Sequence, residues 1–197
     1  MKLRKLLKIS FFGLFILISS CSTEKNTLLT RSYHNLTAHY NIFFNGKESY
    51  EEGVERAASI IEDNYSRILP VFYYTDPAVS QSVTPQMKRT LEKGSKVIAY
   101  HSITAKPDLK RGIQTEKQKE FYNKKEYNKW MDENYVLIGK AYTYQQQYDA
   151  AIETFRKVIS DFPNEPTRFE AMIWMARAYD ELGEYREAFK ILNRLEN

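Results

Sequence analysis

YVLIGKAYTYQQQYDAAIETFRKVISDFP, residues 135–163, decides the fold. Tyr135, Ile138 and Tyr142 are spaced i, i+3, i+7, which puts them on one face of a helix. Gly139 on that face lets a second helix approach closely, and Ala151 is the small residue opposite it. Phe155 and Val158 continue the apolar stripe, and Pro163 stops the second helix. Two antiparallel helices joined by a short turn, with large and small residues interlocking, satisfy all of these spacings together.

The pattern returns 37 residues on, from Tyr148 to Tyr185. Met172, Met175, Ala176, Tyr179, Ala188, Leu192 and Leu195 repeat the order of large and small side chains, and Gly183 marks the turn as Gln146 does before it. This order resembles the tetratricopeptide repeat, whose period is about 34 residues. Pro166, Thr167 and Arg168 lengthen the connection, which costs little because loop-closure entropy grows slowly with length. The expected fold is all-α: an α-α superhelix of tetratricopeptide-type hairpins. One repeat covers 131–165 and an incomplete second covers 169–197.

The formal net charge is +4, but Lys2, Arg4, Lys5 and Lys8 lie in a stretch with no acid. Without those four, 25 basic residues face 25 acidic ones. The basic balance is thus a property of the leader and carries no nucleic-acid reading. Ile9 to Ile18 (ISFFGLFILI) is too short an apolar run to span a bilayer, which needs about 20 residues, and suits a signal-peptide core. Ile18, Ser19, Ser20 and Cys21 resemble the bacterial lipobox. That resemblance implies a lipoprotein signal peptide over 1–20, cleavage before Cys21, diacylation of its thiol and acylation of the new amine. Several acyl chains anchor stably where one does not. Cys21 is the only cysteine, so no intramolecular disulfide forms. Ser22 is not the aspartate of an inner-membrane retention signal, so the expected address is the outer membrane, lipid-anchored on its periplasmic side.

Residues 21–32 then read as the lipidated cysteine and a flexible polar tether. Residues 33–130 read as a helical region with degenerate repeat-like hairpins. A helix from about Tyr33 to Asn45 carries Leu36, Tyr40, Phe43 and Phe44, and Asn45-Gly46 reads as its stop. Tyr50, Val54 and Ile61 form a face of the next helix, with Gly53 echoing Ala151 and Ala188. The aromatic cluster Phe72–Tyr74 is either a cap on a helical core or a partner anchor. Thr84-Pro85 starts a further helix with Met87, Leu91, Gly94 and Ile98 on one side, and Lys106-Pro107 ends it. The charged stretch from Asp108 to Trp130 interleaves lysines with Phe121, Tyr122, Tyr127 and Trp130. It reads as a solvated helix face with a core-facing side, the alternative being contact with anionic head groups or an acidic partner.

Catalytic patterns are missing. Gly46-Lys47 lacks the other parts of a phosphate-cradling loop. His34 and His39 stand about 140° apart around a helix and cannot share a metal, while His101 has no partner at useful spacing. No serine sits in a Gly-x-Ser-x-Gly elbow. The expectation is a non-enzyme with no cofactor, no metal and no small-molecule substrate. What stacked hairpins do supply is a concave wall made by the first helix of each repeat. The tetratricopeptide resemblance implies groove-facing positions at Glu133, Val136, Lys140, Thr143 and Tyr144, then Glu170, Ile173, Arg177, Asp180 and Glu181. Val136 stands where a chaperone-tail clamp needs lysine, so the implied ligand is another kind of protein segment.

Taken in order, CSTEKNTLLTRSYHNLTAHYNIFFNGKESYEEGV, DNYSRILPVFYY, KVIAYHSI, YNKWMDENYVLIGKAY and EPTRFEAMIWMARAYDELGEYREAF resemble the start of a known lipoprotein family. It is the SprE/PorW-like tetratricopeptide lipoprotein family of gliding motility and type IX secretion in the Bacteroidota. The resemblance implies an outer-membrane scaffold that bridges protein components of the secretion and motility machinery. Family members are longer, and ILNRLEN keeps an apolar side without a polar cap, so this chain is expected to be an N-terminal fragment. The alternative function is a glycan-binding or envelope-assembly lipoprotein, which would need an exposed aromatic platform drawn from Phe72–Tyr74 and Trp130.

Overall fold

The computed structural model describes residues 22–62, 65–66, 68–69, 71–108 and 115–196. Residues 1–20, read as a signal peptide from the sequence, Cys21 and the pair Lys110 and Arg111 lie outside the described residues. Among the described residues every regular element is helical: α1 (Leu28–Thr37), a π-turn (Ala38–Phe43), α2 (Phe44–Ile60), a 3-10 turn (Tyr73–Thr75), α3 (Pro77–Ser82), α4 (Thr84–His101), α5 (Glu116–Asn123), α6 (Met131–Tyr144), α7 (Tyr148–Asp161), α8 (Thr167–Glu181) and α9 (Tyr185–Glu196).

The expected tether is already structured at its end. Thr27 caps α1 through a reciprocal box, its Oγ1 accepting from Thr30 N at 3.2 Å while Thr30 Oγ1 accepts from Thr27 N at 2.8 Å. Asn26 is pinned as well, donating from Nδ2 to the Ala105 carbonyl at 2.6 Å.

The expected stop at Asn45-Gly46 does not occur, and α1, the π-turn and α2 run on as one rod. Gly46 serves packing instead of turning. A Cβ there would stand 3.2 Å from Lys93 Cβ, and Thr90 Oγ1 donates to the Gly46 carbonyl at 3.1 Å. The rod therefore crosses α4 at the residue that local rules read as a break. Its apolar face is also redistributed: Leu36, Tyr40 and Phe44 are exposed, while Ala38 and Phe43 are buried. The wider π-turn brings His39 and Phe43 onto Trp130, with ring centroids 3.6 and 6.0 Å away.

Asp76 caps α3, accepting from Ala78 N at 2.8 Å with Pro77 in the first turn. Thr84 lies inside α4, its hydroxyl donating back to the Ser80 carbonyl at 3.1 Å, so it is not the cap its sequence suggests. Met87, Gly94 and Val97 point into the body, and α4 ends at His101, short of Lys106-Pro107. What ends it is Glu126. This buried carboxylate accepts from Ile103 N at 2.8 Å, Tyr127 N at 2.9 Å and Asn128 N at 2.8 Å, and from the Ser102 hydroxyl at 2.5 Å. One side chain thus satisfies the Ile103 amide, where the chain leaves α4, and two amides of the segment before α6.

The charged stretch is bonded to the repeats. Lys124 pairs with Glu165 at 2.9 Å and Lys125 with Asp161 at 2.7 Å. Burial alone would raise the Asp161 carboxyl, but hydrogen bonds from Lys125, Lys157 and Ser160 outweigh it and hold the group at about 2. Tyr127 is buried against Phe121, so the stretch has the core-facing side its aromatics suggest.

From α6 onward each helix packs on the next. A Cβ on Gly139 would fall 2.4 Å from the Phe155 ring, which is why the first hairpin closes only with glycine there. Both hairpin turns are built alike. Gln146 (φ 58°) and Gly183 (φ 75°) occupy the left-handed region, and the residue after each donates its amide, Gln147 to Tyr142 O and Glu184 to Tyr179 O, both at 2.9 Å. The core has Ala151, Ile152, Phe155 and Val158 at its centre, and a smaller cluster of Met172, Ala176, Ala188 and Ile191 joins α8 to α9.

Candidate protein-docking groove

The first helices of the two hairpins, α6 and α8, face α2 and the turn after Val71 across an open cleft of about 500 Å³. The sequence-implied positions divide here. Tyr144 and Arg177 line the cleft, Lys140 lies over the Trp174 ring, and Ile173 is exposed on α8 one turn before Arg177, whereas Val136 and Thr143 are buried. Their burial corrects the implied register. The chain's own α2 and α4 pack where an isolated repeat pair would be open, and Val136 joins the cluster that contains Phe43 and Val97. Glu133, Glu170 and Asp180 are exposed and Glu181 half-buried, giving the margin an acidic character. Burial followed by the neighbouring Asp180 raises the Glu181 carboxyl, and burial followed by Asp132 raises Glu133.

The floor is aromatic and cationic. Trp174 and Tyr144 project from α8 and α6, with centroids 6.5 Å apart, and Tyr50 meets Tyr144 edge-on at 5.5 Å. Arg177 lies between two rings, 4.1 Å from the Phe72 centroid and 4.6 Å from that of Trp174. Lys140 sits 5.5 Å from the Trp174 centroid and pairs with Glu170. Such cation–ring contacts contribute about 0.5–2 kcal/mol each, more where water is excluded. Burial, and then contact with Tyr144, pushes the Tyr50 hydroxyl up. The Tyr148 hydroxyl is pushed up to about 12 by burial and Glu181.

Part of the groove is filled from within. Tyr74 is fully buried, 5.0 Å from the Tyr144 ring and 6.3 Å from that of Trp174, and Phe72 stacks on it at 5.5 Å. Gln146 Nε2 donates to the Tyr74 and Thr75 carbonyls at 2.9 and 3.1 Å. Of the two readings of the aromatic cluster, the structure favours the cap. Of the aromatics proposed for a sugar platform, Tyr74 is buried and Trp130 lies under His39, while Tyr73 is exposed and Phe72 lines the cleft.

Sequence spacing missed one pairing altogether. His101 meets His34 across 67 residues, Nδ1 to Nδ1 at 2.9 Å, both rings buried. One Nδ1 must keep its lone pair to accept from the other, so the two rings cannot both be protonated while the contact holds. Burial lowers the pKa of each, and for His101 the neighbouring His34 lowers it further. Because the folded-state pKa values lie below the unfolded one, the stabilisation is present above about pH 6.5 and is lost as pH falls through that value. Urea unfolding at pH 7.5 and 5.5 should show a loss on the order of 1 kcal/mol or more at the lower pH, and His34→Gln should flatten that difference.

The fold and the groove define a class: a helical-repeat surface with an aromatic and cationic cleft. The tetratricopeptide repeat family matches residues 142–197. Tetratricopeptide repeat protein 8 of Caenorhabditis elegans is 30% identical over 127 residues, covering 64% of this chain and 24% of that protein. The chain thus spans about a quarter of that relative's length. Together the two matches support a tetratricopeptide family, whose repeats generally mediate protein partner binding and are typically non-catalytic scaffolds.

Proposed function

We propose that this chain is a non-catalytic scaffold lipoprotein, tethered through Cys21 to the periplasmic face of the outer membrane, that holds protein components of type IX secretion and gliding motility together. The observation that carries the scaffold part is the cleft between α2, α6 and α8, where Trp174, Tyr144 and Arg177 form a floor suited to a protein segment with apolar anchors. The secretion part is supported by the resemblance of the segments around Tyr40–Asn45 and Asn64–Phe72, and the membrane part by the lipobox before Cys21.

The test is mild cross-linking of cells, capture through the tagged chain and identification of what is attached. Recovery of secretion-motor proteins, lost when Trp174→Ala and Arg177→Ala are combined, is the expected result. Recovery of glycans alone would end the proposal.

A further inference from the structure

The rod made by α1 and the π-turn shows solvent a long apolar stripe. Leu28 and Leu29 are each 72% exposed, Leu36 62%, Tyr40 64% and Phe44 56%. Leu29, Tyr33, Leu36 and Tyr40 follow i, i+4, i+7 and i+11, a single helix face, and Phe44 continues it beyond the π-turn. A row of this size on a helix surface marks a contact with something apolar.

We infer that this face lies in a membrane surface, so that the rod rests along the bilayer and fixes how the groove is presented. The inference rests on the lipoprotein reading for the anchor but not on which proteins the groove holds. Three observations select lipid over protein as the occupant. The stripe begins at Leu28, within roughly 25 Å of Cys21, the proposed anchor, even along a fully extended chain. From Lys25 to Lys47 the chain carries no acidic residue, so nothing on the rod up to Glu48 repels anionic head groups, although Arg31 is turned to Asn26 and the Phe121 ring and Lys47 pairs with Glu51. The face also mixes leucine with tyrosine, whose ring is apolar and whose tip is polar, the composition of a helix lying at an interface. No described helix is long and apolar enough to cross a bilayer, so the contact is along the surface.

The occupied face has a consequence for the rest of the fold. α4 packs on the rod, with the Thr90 hydroxyl reaching Gly46 O and Ser49 bonded to Gln86 O at 3.2 Å. The repeats attached to α4 would then be held at a set angle to the lipid rather than swinging on a tether.

The test uses the full chain on vesicles of phosphatidylethanolamine and phosphatidylglycerol, with Cys21→Ser so that an environment-sensitive fluorophore can be placed at one new thiol. The apolar run Ile9–Ile18 keeps every variant on the vesicle. With Leu36→Cys, the label should shift to shorter wavelength and be quenched about tenfold more by lipids bearing spin labels on their acyl chains than with Glu153→Cys on α7. Leu29→Asp with Tyr40→Asp should abolish that quenching while leaving the melting temperature unchanged, since both side chains are exposed. Equal, water-like signals at Leu36 and Glu153 would overturn the inference. So would shielding at Leu36 that appears without lipid and grows with protein concentration, which would give the face to a second copy of the chain. Neither result would touch the recovery of secretion proteins by cross-linking.

Discussion

Phe155→Ala lowers the unfolding free energy by about 3–5 kcal/mol, the range for removing a large aromatic from a packed core. Phe155 is fully buried at the centre of the main cluster, and its ring covers Gly139 so closely that a Cβ there would meet Cε1 at 2.4 Å. Glycine on the facing helix has no side chain to swing into the space, so the cavity stays open and the loss sits at the upper end. Against a typical total of about 5–15 kcal/mol, that is enough to populate unfolded chain. Denaturant titration of the variant measures the effect. Gly139→Val placed on the Phe155→Ala background should recover part of the loss, whereas the same change in the parent chain should be destabilising. A loss below about 1 kcal/mol would show that α6 and α7 do not interlock as described.

Glu126→Ala is the second large effect, on the order of 3 kcal/mol or more. Its carboxylate accepts from the backbone amides of Ile103, Tyr127 and Asn128; Tyr127 N also donates to the Ile103 carbonyl at 3.0 Å, so truncation leaves the Ile103 and Asn128 amides buried without that acceptor. An unmet buried donor costs about 1–3 kcal/mol. Glu126→Gln keeps an acceptor oxygen for those amides and turns its NH₂ toward the Ser102 hydroxyl, which can accept. It should therefore cost about 1 kcal/mol. Equal losses for Ala and Gln would mean that charge, not the bonding pattern, is what residue 126 contributes. The amides of Ile103 and Asn128 should also exchange with deuterium much faster in the Ala variant, a local signature that a general loss of stability would not give.

What could be read from the chain follows the distance over which each signal acts. The repeat pattern around Gly139, Ala151 and Phe155 was legible because the interlocking residues stand within one hairpin, and the copy at Ala176 and Ala188 restates it. Asn45-Gly46 misled because turn propensity is local, while the need for glycine at 46 comes from Thr90 and Lys93, more than 40 residues away. The His34–His101 pair was invisible for the same reason. In the groove, Lys140, Ile173 and Arg177 lie where a generic repeat pair would have them, but Val136 and Thr143 do not. The generic register treats the concave side as empty, and here α2, α4 and the Tyr73–Thr75 turn close over part of it. The same covering gave Tyr74 and Gln146 their roles. The positive φ at Gln146 was hinted at by its place opposite Gly183 in the repeat.

The central claim is that this molecule holds proteins through the concave side of α6 and α8. A photo-activated cross-linking side chain at Ile173, on that side, and another at Arg156, on α7, test it directly in living cells. Discrete protein adducts from Ile173, diminished by Trp174→Ala and absent from Arg156, are what the groove predicts. Adducts from Arg156 with none from Ile173 would contradict it.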